Sequence, residues 1–373
     1  MAQDVIIIGG GVIGCSIALK LAEAGLKVTL MERGRAGCEA SRAAAGMLSP
    51  QSEAHKQSPF LALCLYSRSI YPSFADHLAE LSGIDVEYRD EGLLYVELEG
   101  DDPKEVERWF NWQTAGGLKL ERIPKTKLRM DEPAVTETAT GAVFIPGDHQ
   151  VDNRKLMDAV ALAARRAGVD MIEGVEVSRL TVERDRVIGV RCGEDKIEAG
   201  AVVVAAGCWS GGLLDPLGLN IKTIPARGQM IALKSDTSPL NRVLHSRHCY
   251  LVPRRDGRIL VGSTVEYTGF TKGVTAGGVG SLIAAAVELV PSLNDFEIVE
   301  SWSGLRPDTA DHLPVMGETG IKNLFVASGH FRNGILLAPA TAEFMSELIV
   351  TGRAPEELQP FGVERLLKGS EGA

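Results

Sequence analysis

The sequence predicts an α/β chain in two parts: an open, mostly parallel sheet with helices packed on it, and a second, α+β part built on antiparallel strands. Three observations carry this. A strand, a glycine turn and a helix follow one another within residues 4–24. The run Ala201-Val202-Val203-Val204 is continuously apolar, as a parallel strand buried on both faces must be. Between residues 227 and 265 three strand-like runs follow one another with no helix between them. With 373 residues, at about 150 per domain, two domains are the default. Boundaries that fit are 1–85, 147–220 and 304–373 for the first, discontinuous domain, and 86–146 with 221–303 for the second.

The first element is Asp4-Val5-Ile6-Ile7-Ile8, a β-branched run that meets Gly9-Gly10-Gly11-Val12-Ile13-Gly14. This fits G-x-G-x-x-G at Gly9, Gly11 and Gly14. Gly9 allows the tight turn, Gly11 lets the backbone approach a pyrophosphate, and Gly14 lets the following helix pack close to the sheet. That helix, residues 15–24, would aim free N–H groups and a positive dipole end at the phosphates. The next strand, 27–31, ends in Glu32, 18 residues past Gly14, where a ribose-binding carboxylate belongs. A Rossmann-like dinucleotide site is the reading; a glycine-rich turn in another α/β domain is the alternative. The stretch 33–47 is dense in small residues, which permits close approach to a ligand, although a plain small-residue helix would have the same composition.

A long structural helix is expected over 60–81. Strands follow at 86–89 and 92–98 around a turn at 90–92, then a helix over 102–115. Ile145-Pro146-Gly147-Asp148 reads as a turn where the chain crosses between domains. Asp152 caps a helix over 153–167, and Gly168 stops it. Runs at 175–180, 187–191 and 196–198 alternate like a small antiparallel meander, and the buried strand at 201–204 leads into Ala205-Ala206-Gly207-Cys208-Trp209-Ser210. The antiparallel strands of the second part lie at 227–233, 248–253 and 259–265, with Tyr250 on the middle one. A tyrosine there is either a core residue or a hydroxyl with a partner. A helix over 280–289 and a strand over 297–300 precede Trp302-Ser303-Gly304-Leu305-Arg306-Pro307. Arg306 offers a planar fork that fits a carboxylate; a salt bridge to an internal acid is the alternative. A last strand, 323–328, meets Gly329-His330-Phe331-Arg332-Asn333-Gly334, and a helix over 335–350 follows. Its N-terminus would stabilise negative charge above the sheet.

Composition narrows the function. Hydrophobic residues make up 45% and charged residues 24%, ordinary for a globular chain. A net charge of −10 argues against nucleic acid or an anionic membrane as partner. The six cysteines are scattered without a C-x-x-C pair, so neither a disulfide frame nor a zinc site is expected. No charged segment precedes the opening strand, and no apolar run looks long enough to span a bilayer. A cytoplasmic location is expected.

Taken together, the Gly9–Gly14 motif with Glu32, the 205–210 turn, Gly304-Leu305-Arg306-Pro307 and Gly329-His330-Phe331-Arg332-Asn333-Gly334 resemble the D-amino-acid oxidase / sarcosine oxidase family of FAD amine oxidoreductases, over essentially the whole chain. Ala43-Ala44-Ala45-Gly46-Met47-Leu48 and residues 248–254 and 329–340 are most similar to its glycine-oxidising members. The resemblance implies an FAD-binding domain of glutathione-reductase type and a substrate domain lying over the flavin face. It implies that Gly9, Gly11, Val12, Ile13, Gly14, Glu32, Arg33, Ala40, Ser41, Ala45, Gly46, Met47, Val177, Gly207 and the stretch His330, Phe331, Arg332, Asn333, Gly334, Ile335 and Leu336 bind FAD. Arg306 would pair with the substrate carboxylate, Tyr250 would donate to it, and Arg332 would lie near it. No residue is required as acid or base, since the flavin carries the chemistry. Leu313-Pro314-Val315-Met316-Gly317 lacks the cysteine of covalent flavin relatives, so FAD should be noncovalent. Val265 sits at a position that varies with substrate width. The implied partners are a small amine such as glycine, sarcosine or a D-amino acid, molecular oxygen, further copies of the chain, and a thiazole synthase that receives the imine for thiamine synthesis. A dehydrogenase that hands electrons to another acceptor would share these motifs. A nicotinamide-dependent hydroxy-acid dehydrogenase would have no use for the 329–334 unit, and a non-catalytic module no use for the carboxylate clamp.

Overall fold

The computed structural model of the chain describes residues 3–234 and 238–367; the outermost ends of the expected first domain, 1–2 and 368–373, and residues 235–237 of the second lie outside them. Two eight-stranded sheets organise it. In the first, six strands are ordered Val315–Glu318, Leu324–Ser328, Asp195–Val204, Gln3–Ile8, Val28–Glu32 and Asp170–Glu173, and two more, Arg186–Cys192 and then Arg179–Glu183, continue from Asp195–Val204 as an antiparallel meander. The opening strand pairs in parallel on both sides, Val5 opposite Ala201 and Val28. Alternation then assigns its faces. Val5 and Ile7 pack under the helices Val12–Glu23, Pro59–Ser82, Asn153–Arg166 and Gly334–Thr351, whereas Ile6 and Ile8 face the meander and the 214–221 segment.

The cap residues behave as their chemistry requires. Asp152 accepts from the N–H groups of Arg154 and Lys155, and Asp102 from that of Lys104. Gly168 takes φ +94° after the 153–166 helix. The Gly334–Thr351 helix is long and apolar enough to cross a membrane by length and composition, contrary to the sequence expectation. Its side chains are nevertheless mostly buried, packed among those of Val12–Glu23 and Pro59–Ser82, as a core helix requires.

Strands Glu297–Asp308, Ile224–Lys234, Arg258–Gly262, Tyr250–Pro253, Val243–His245, Leu93–Leu98, Ala139–Ile145 and Glu121–Pro124 form the second sheet in that order. One face, with Leu251, Val261 and Ile231, covers the Ala276–Leu289 helix. The other, with Met230, Tyr250, Val252 and Trp302, packs toward Ala45 and Met47 of the first part.

Several expected elements differ. Residues 86–89 form no strand; Arg89 makes an isolated bridge to Gln150. In place of a strand over 175–180 the chain forms one at Arg179–Glu183. The runs 196–198 and 201–204 are one strand, Asp195–Val204, whose first half pairs with the meander and whose second half enters the parallel sheet. The change from alternating to continuous apolar residues marks where its second face becomes buried. Likewise 297–300 extends through Asp308. Pro307 is tolerated because this strand is the edge of its sheet, where a missing N–H goes unnoticed.

Candidate active site

A cavity of about 740 Å³ opens at the C-terminal ends of the parallel strands, the place where open α/β sheets bind ligands. Ile8, Gly9, Met31, Glu32, Ala205 and Ser328 mark those strand ends in its wall. Gly9 has φ +109°, and a Cβ there would sit 2.4 Å from the Ala205 carbonyl oxygen; one on Gly14 would sit 2.0 Å from the Gly9 carbonyl oxygen. Both glycines are therefore steric requirements of the turn. Glu32 accepts from the N–H groups of Gly10 and Gly34, each at 2.8 Å. Each oxygen keeps a lone pair for a further donor. Ser41 Oγ accepts from Val12 N–H at 2.9 Å. The Arg33 guanidinium lies 3.7 Å from the Trp209 ring centroid, a cation–π stack on the cavity wall.

At the other end the wall is built from side chains of the second sheet. Arg306 lies opposite Ala226, next to the pair Gly228 and Gly304. Its Nη1 donates to the Thr264 carbonyl at 3.1 Å and its Nη2 to Ser263 Oγ at 2.5 Å. Among the described residues it has no salt bridge, so the internal-acid alternative does not apply, and the fork meets neutral oxygens only. Gly228 makes room for it: a Cβ at that position would lie 2.2 Å from Nη1. Gly262 does the same for Tyr250, whose ring a Cβ would approach to 2.4 Å. Among the described residues the Tyr250 hydroxyl has only the Met230 sulfur, at 3.8 Å, as a partner. Arg332 lies near the Phe331 ring, with Cζ 5.2 Å from its centroid.

The cavity brings Arg306, Tyr250 and Arg332 together with nearly every residue expected to face FAD, including Val177, Gly207 and residues 330–335. Gly14 and Leu336 stand behind the wall. Leu336 is drawn into the helical core, its carbonyl accepting from Ser67 Oγ. His330 is buried, with Nε2 at 3.1 Å from Thr341 Oγ1, and burial lowers its pKa to about 3. It is neutral at ordinary pH.

Among the wall residues that escaped the sequence reading are two with shifted pKa values. Half-buried Glu53 has its pKa raised by burial against the opposing pull of Arg332 and Arg306. His245 faces the same space beside Tyr250, with ring centroids 6.3 Å apart. Burial, reinforced by Arg332, lowers its pKa to about 4. The loop carrying Glu53 is tied down by Asp148, which accepts from Gln51 and Ser52 N–H. No local motif marks these positions; strand register brings His245 to the cavity, and the contacts of the loop with Asp148 bring Glu53 there.

Residues 4–348 match the family described as FAD dependent oxidoreductase. The chain belongs to this family. It is 37% identical over 357 residues to the glycine oxidase of Pseudomonas aeruginosa, covering 95% of this chain and 96% of that one. It is 38% identical over 372 residues to the bifunctional protein ThiO/ThiG of Trichormus variabilis, covering 99% of this chain but 56% of that relative's length. The crystal structure of glycine oxidase from Geobacillus kaustophilus superposes with a TM-score of 0.93 at 36% identity, over 97% of this chain and 98% of that one.

FAD is the family's cofactor, and the residues present suit it. The glycine turn and the Val12–Glu23 helix end would meet the pyrophosphate, Glu32 a ribose, and the 330–335 helix entrance the negative edge of the ring system. The cavity volume is that of a large-ligand site.

Proposed function

We propose that this family member oxidises glycine and other small primary or secondary amines, among them sarcosine and small D-amino acids, to a 2-oxo acid, ammonia or amine, and hydrogen peroxide. The observation that carries the reading is Arg306: a charged fork without an ionised partner among the described residues, beside a tyrosine hydroxyl with only a sulfur partner, in the cavity that begins at the dinucleotide turn. An α-amino carboxylate supplies what both lack. The names of the relatives support glycine as the substrate.

What FAD supplies when bound is a two-electron acceptor for the substrate α-carbon hydrogen, regenerated by molecular oxygen. The chain's residues do the rest by placement. Arg306 grips the carboxylate, Tyr250 donates to it, and Arg332 adds positive charge nearby. Held by one end, a small amine presents its α-carbon in a fixed orientation, which is where much of the rate of such a reaction arises. Neutral His245 and His330 leave the positive charge of the pocket to the arginines. No side chain is needed as acid or base, because the amine reacts neutral and the imine product hydrolyses in water.

On this reading FAD is held noncovalently, residues 1–85, 147–220 and 304–373 form the cofactor domain around the first sheet, residues 86–146 and 221–303 form the substrate domain, and residues 304–308 are the end of the Glu297–Asp308 strand of the second sheet. The glycine imine would pass to a thiazole synthase; the bifunctional Trichormus relative is the support for that partner, and a pull-down that fails to recover the synthase overturns it. The protein would act in the cytoplasm as a homo-oligomer, which light scattering of the purified protein tests. The primary test is peroxide release in air with glycine, sarcosine, D-alanine and D-proline. Peroxide with glycine at least equal to the others supports the assignment. Flavin bleaching without peroxide means another electron acceptor, and no bleaching with any of the four overturns the substrate class.

A further inference from the structure

Arg254 follows the Tyr250–Pro253 strand directly and is only 6% exposed. Among the described residues no carboxylate pairs with it. Its Nη1 donates to the Val151 carbonyl at 2.8 Å and to Gln150 Oε1 at 3.5 Å, and its Nη2 to the Ala45 carbonyl at 2.6 Å and to Asn153 Oδ1 at 3.2 Å. The network continues. Asn153 Nδ2 donates to the carbonyls of Ser41 and Arg42 at 2.9 and 3.1 Å, and Val151 N–H donates to the Gly46 carbonyl at 2.9 Å. Gly46 itself has φ +74°, and a Cβ there would lie 2.0 Å from the Val151 carbonyl oxygen and 3.1 Å from Arg254 Nη2. One guanidinium from the second sheet thus gathers two segments of the first part, 41–46 and 150–153.

A buried cation held by neutral oxygens alone is expensive. An apolar side chain of similar size would fill the space at lower cost, and a lysine could not address acceptors on two segments with a planar fork. Burial lowers its pKa only to about 10, so it keeps its charge at neutral pH. The geometry also has a direction. Tyr250 lies four residues before Arg254, whose N–H donates to the Arg258 carbonyl and so continues the register of the Tyr250–Pro253 strand by one residue; positions i and i+4 of an extended chain share a face. The strand that presents the Tyr250 hydroxyl to the cavity is followed directly by the side chain that fixes the Ala45–Met47 stretch of the opposite wall.

We propose that Arg254 is a positioning residue for the reaction: it locks the Ala45–Met47 segment to the Tyr250 strand and so sets how bound FAD and the carboxylate clamp face each other. This rests on the assignment of that segment to FAD made above. It assigns Arg254 no contact with substrate.

The test uses full-length Arg254→Lys and Arg254→Met, each compared with wild type by FAD titration of the apoprotein, by the visible spectrum of the FAD-saturated protein, and by kcat and KM for glycine. Arg254→Lys should raise the FAD dissociation constant about tenfold and displace the flavin absorption bands. With FAD saturating, its kcat should fall about tenfold to a hundredfold, the cost of a small misplacement at the reacting centre, with a smaller change in KM. Arg254→Met should do more of each. Asn153→Ala, which leaves the guanidinium in place and cuts its link to Ser41 and Arg42, should move the same readouts in the same direction by less, and it decides the matter if neither Arg254 variant folds. Wild-type FAD affinity, spectrum and kcat in Arg254→Lys, or in Asn153→Ala where that is the folded variant, with only the melting temperature lowered, would overturn the proposal. The FAD readouts decide it even if wild type fails to turn over glycine, a result that counts against the proposed substrate alone.

Discussion

The two ends of the cavity are made in opposite ways. The end at the parallel strands is backbone: glycines pressed against carbonyls, N–H groups at helix entrances, and one carboxylate whose oxygens already hold two of those N–H groups. The end at the antiparallel sheet is side chains: Arg306, Tyr250 and His245, with Gly262 across the strand leaving space for Tyr250 and Gly228, beside the partner of Arg306, leaving space for the guanidinium. A backbone site is rigid and recognises a cofactor common to many enzymes. A side-chain site can be altered one residue at a time. The difference predicts that damage at the first end destroys the holoprotein, whereas damage at the second changes only what it acts on.

The largest effect should come from the backbone end. Gly14→Ala places a Cβ 2.0 Å from the Gly9 carbonyl oxygen, and backbone on both sides must shift. Overpacking of this kind costs about 1–3 kcal/mol or more. We expect protein that purifies with little flavin and a melting temperature several degrees lower; flavin-to-protein absorbance and calorimetry measure both. A fully yellow Gly14→Ala protein would break the comparison.

Next comes Arg306→Ala. Removing a bidentate charge-assisted partner costs about 2–5 kcal/mol, so KM for glycine should rise by roughly 30-fold to several thousandfold while flavin content barely changes. An unaltered KM would make Arg306 structural and turn attention to Arg332. Gly228→Ala sharpens the same point without touching the arginine. Its Cβ would displace the guanidinium, a flexible group that can yield, so KM should rise about tenfold with little loss of stability.

The same contrast explains what the sequence could reveal. The Gly9–Gly14 turn and Glu32 are legible because their function lies in local spacing, a strand period followed by a helix period with glycines at the junction. Arg306 and Tyr250 became legible through resemblance, since nothing in their own neighbourhoods distinguishes a carboxylate fork from an internal salt bridge. Gly228 and Gly262 were not legible at all. Gly262 matters for Tyr250 directly across from it and Gly228 for Arg306 on the neighbouring strand, and both placements are facts of register. Glu53 and Arg254 belong to the same class: their partners lie far away in the chain, and no period encodes them. Residues 86–89 erred in the other direction. They look like a strand, but among them only Arg89 makes a β-bridge, and tertiary pairing overrides local propensity.

The smallest effect concerns His330, where the backbone end carries a titratable group. Its folded pKa is lowered to about 3 by burial, against about 6.5 for an unfolded histidine. Above pH 6.5 both states are neutral and the histidine contributes no pH dependence. As pH falls below 6.5 the unfolded chain takes up a proton that the folded chain refuses, so stability is lost on acidification, increasingly down to about pH 3. At pH 5 that loss is about 2 kcal/mol relative to pH 7. His330→Gln keeps a group that can reach Thr341 and removes the titration. Its fall in melting temperature between pH 7 and pH 5 should therefore be smaller than that of wild type by a few degrees, with FAD bound in both. An equal fall in the two proteins would mean that the 329–334 turn opens enough to admit the proton, and the backbone end would then be less rigid than the comparison requires.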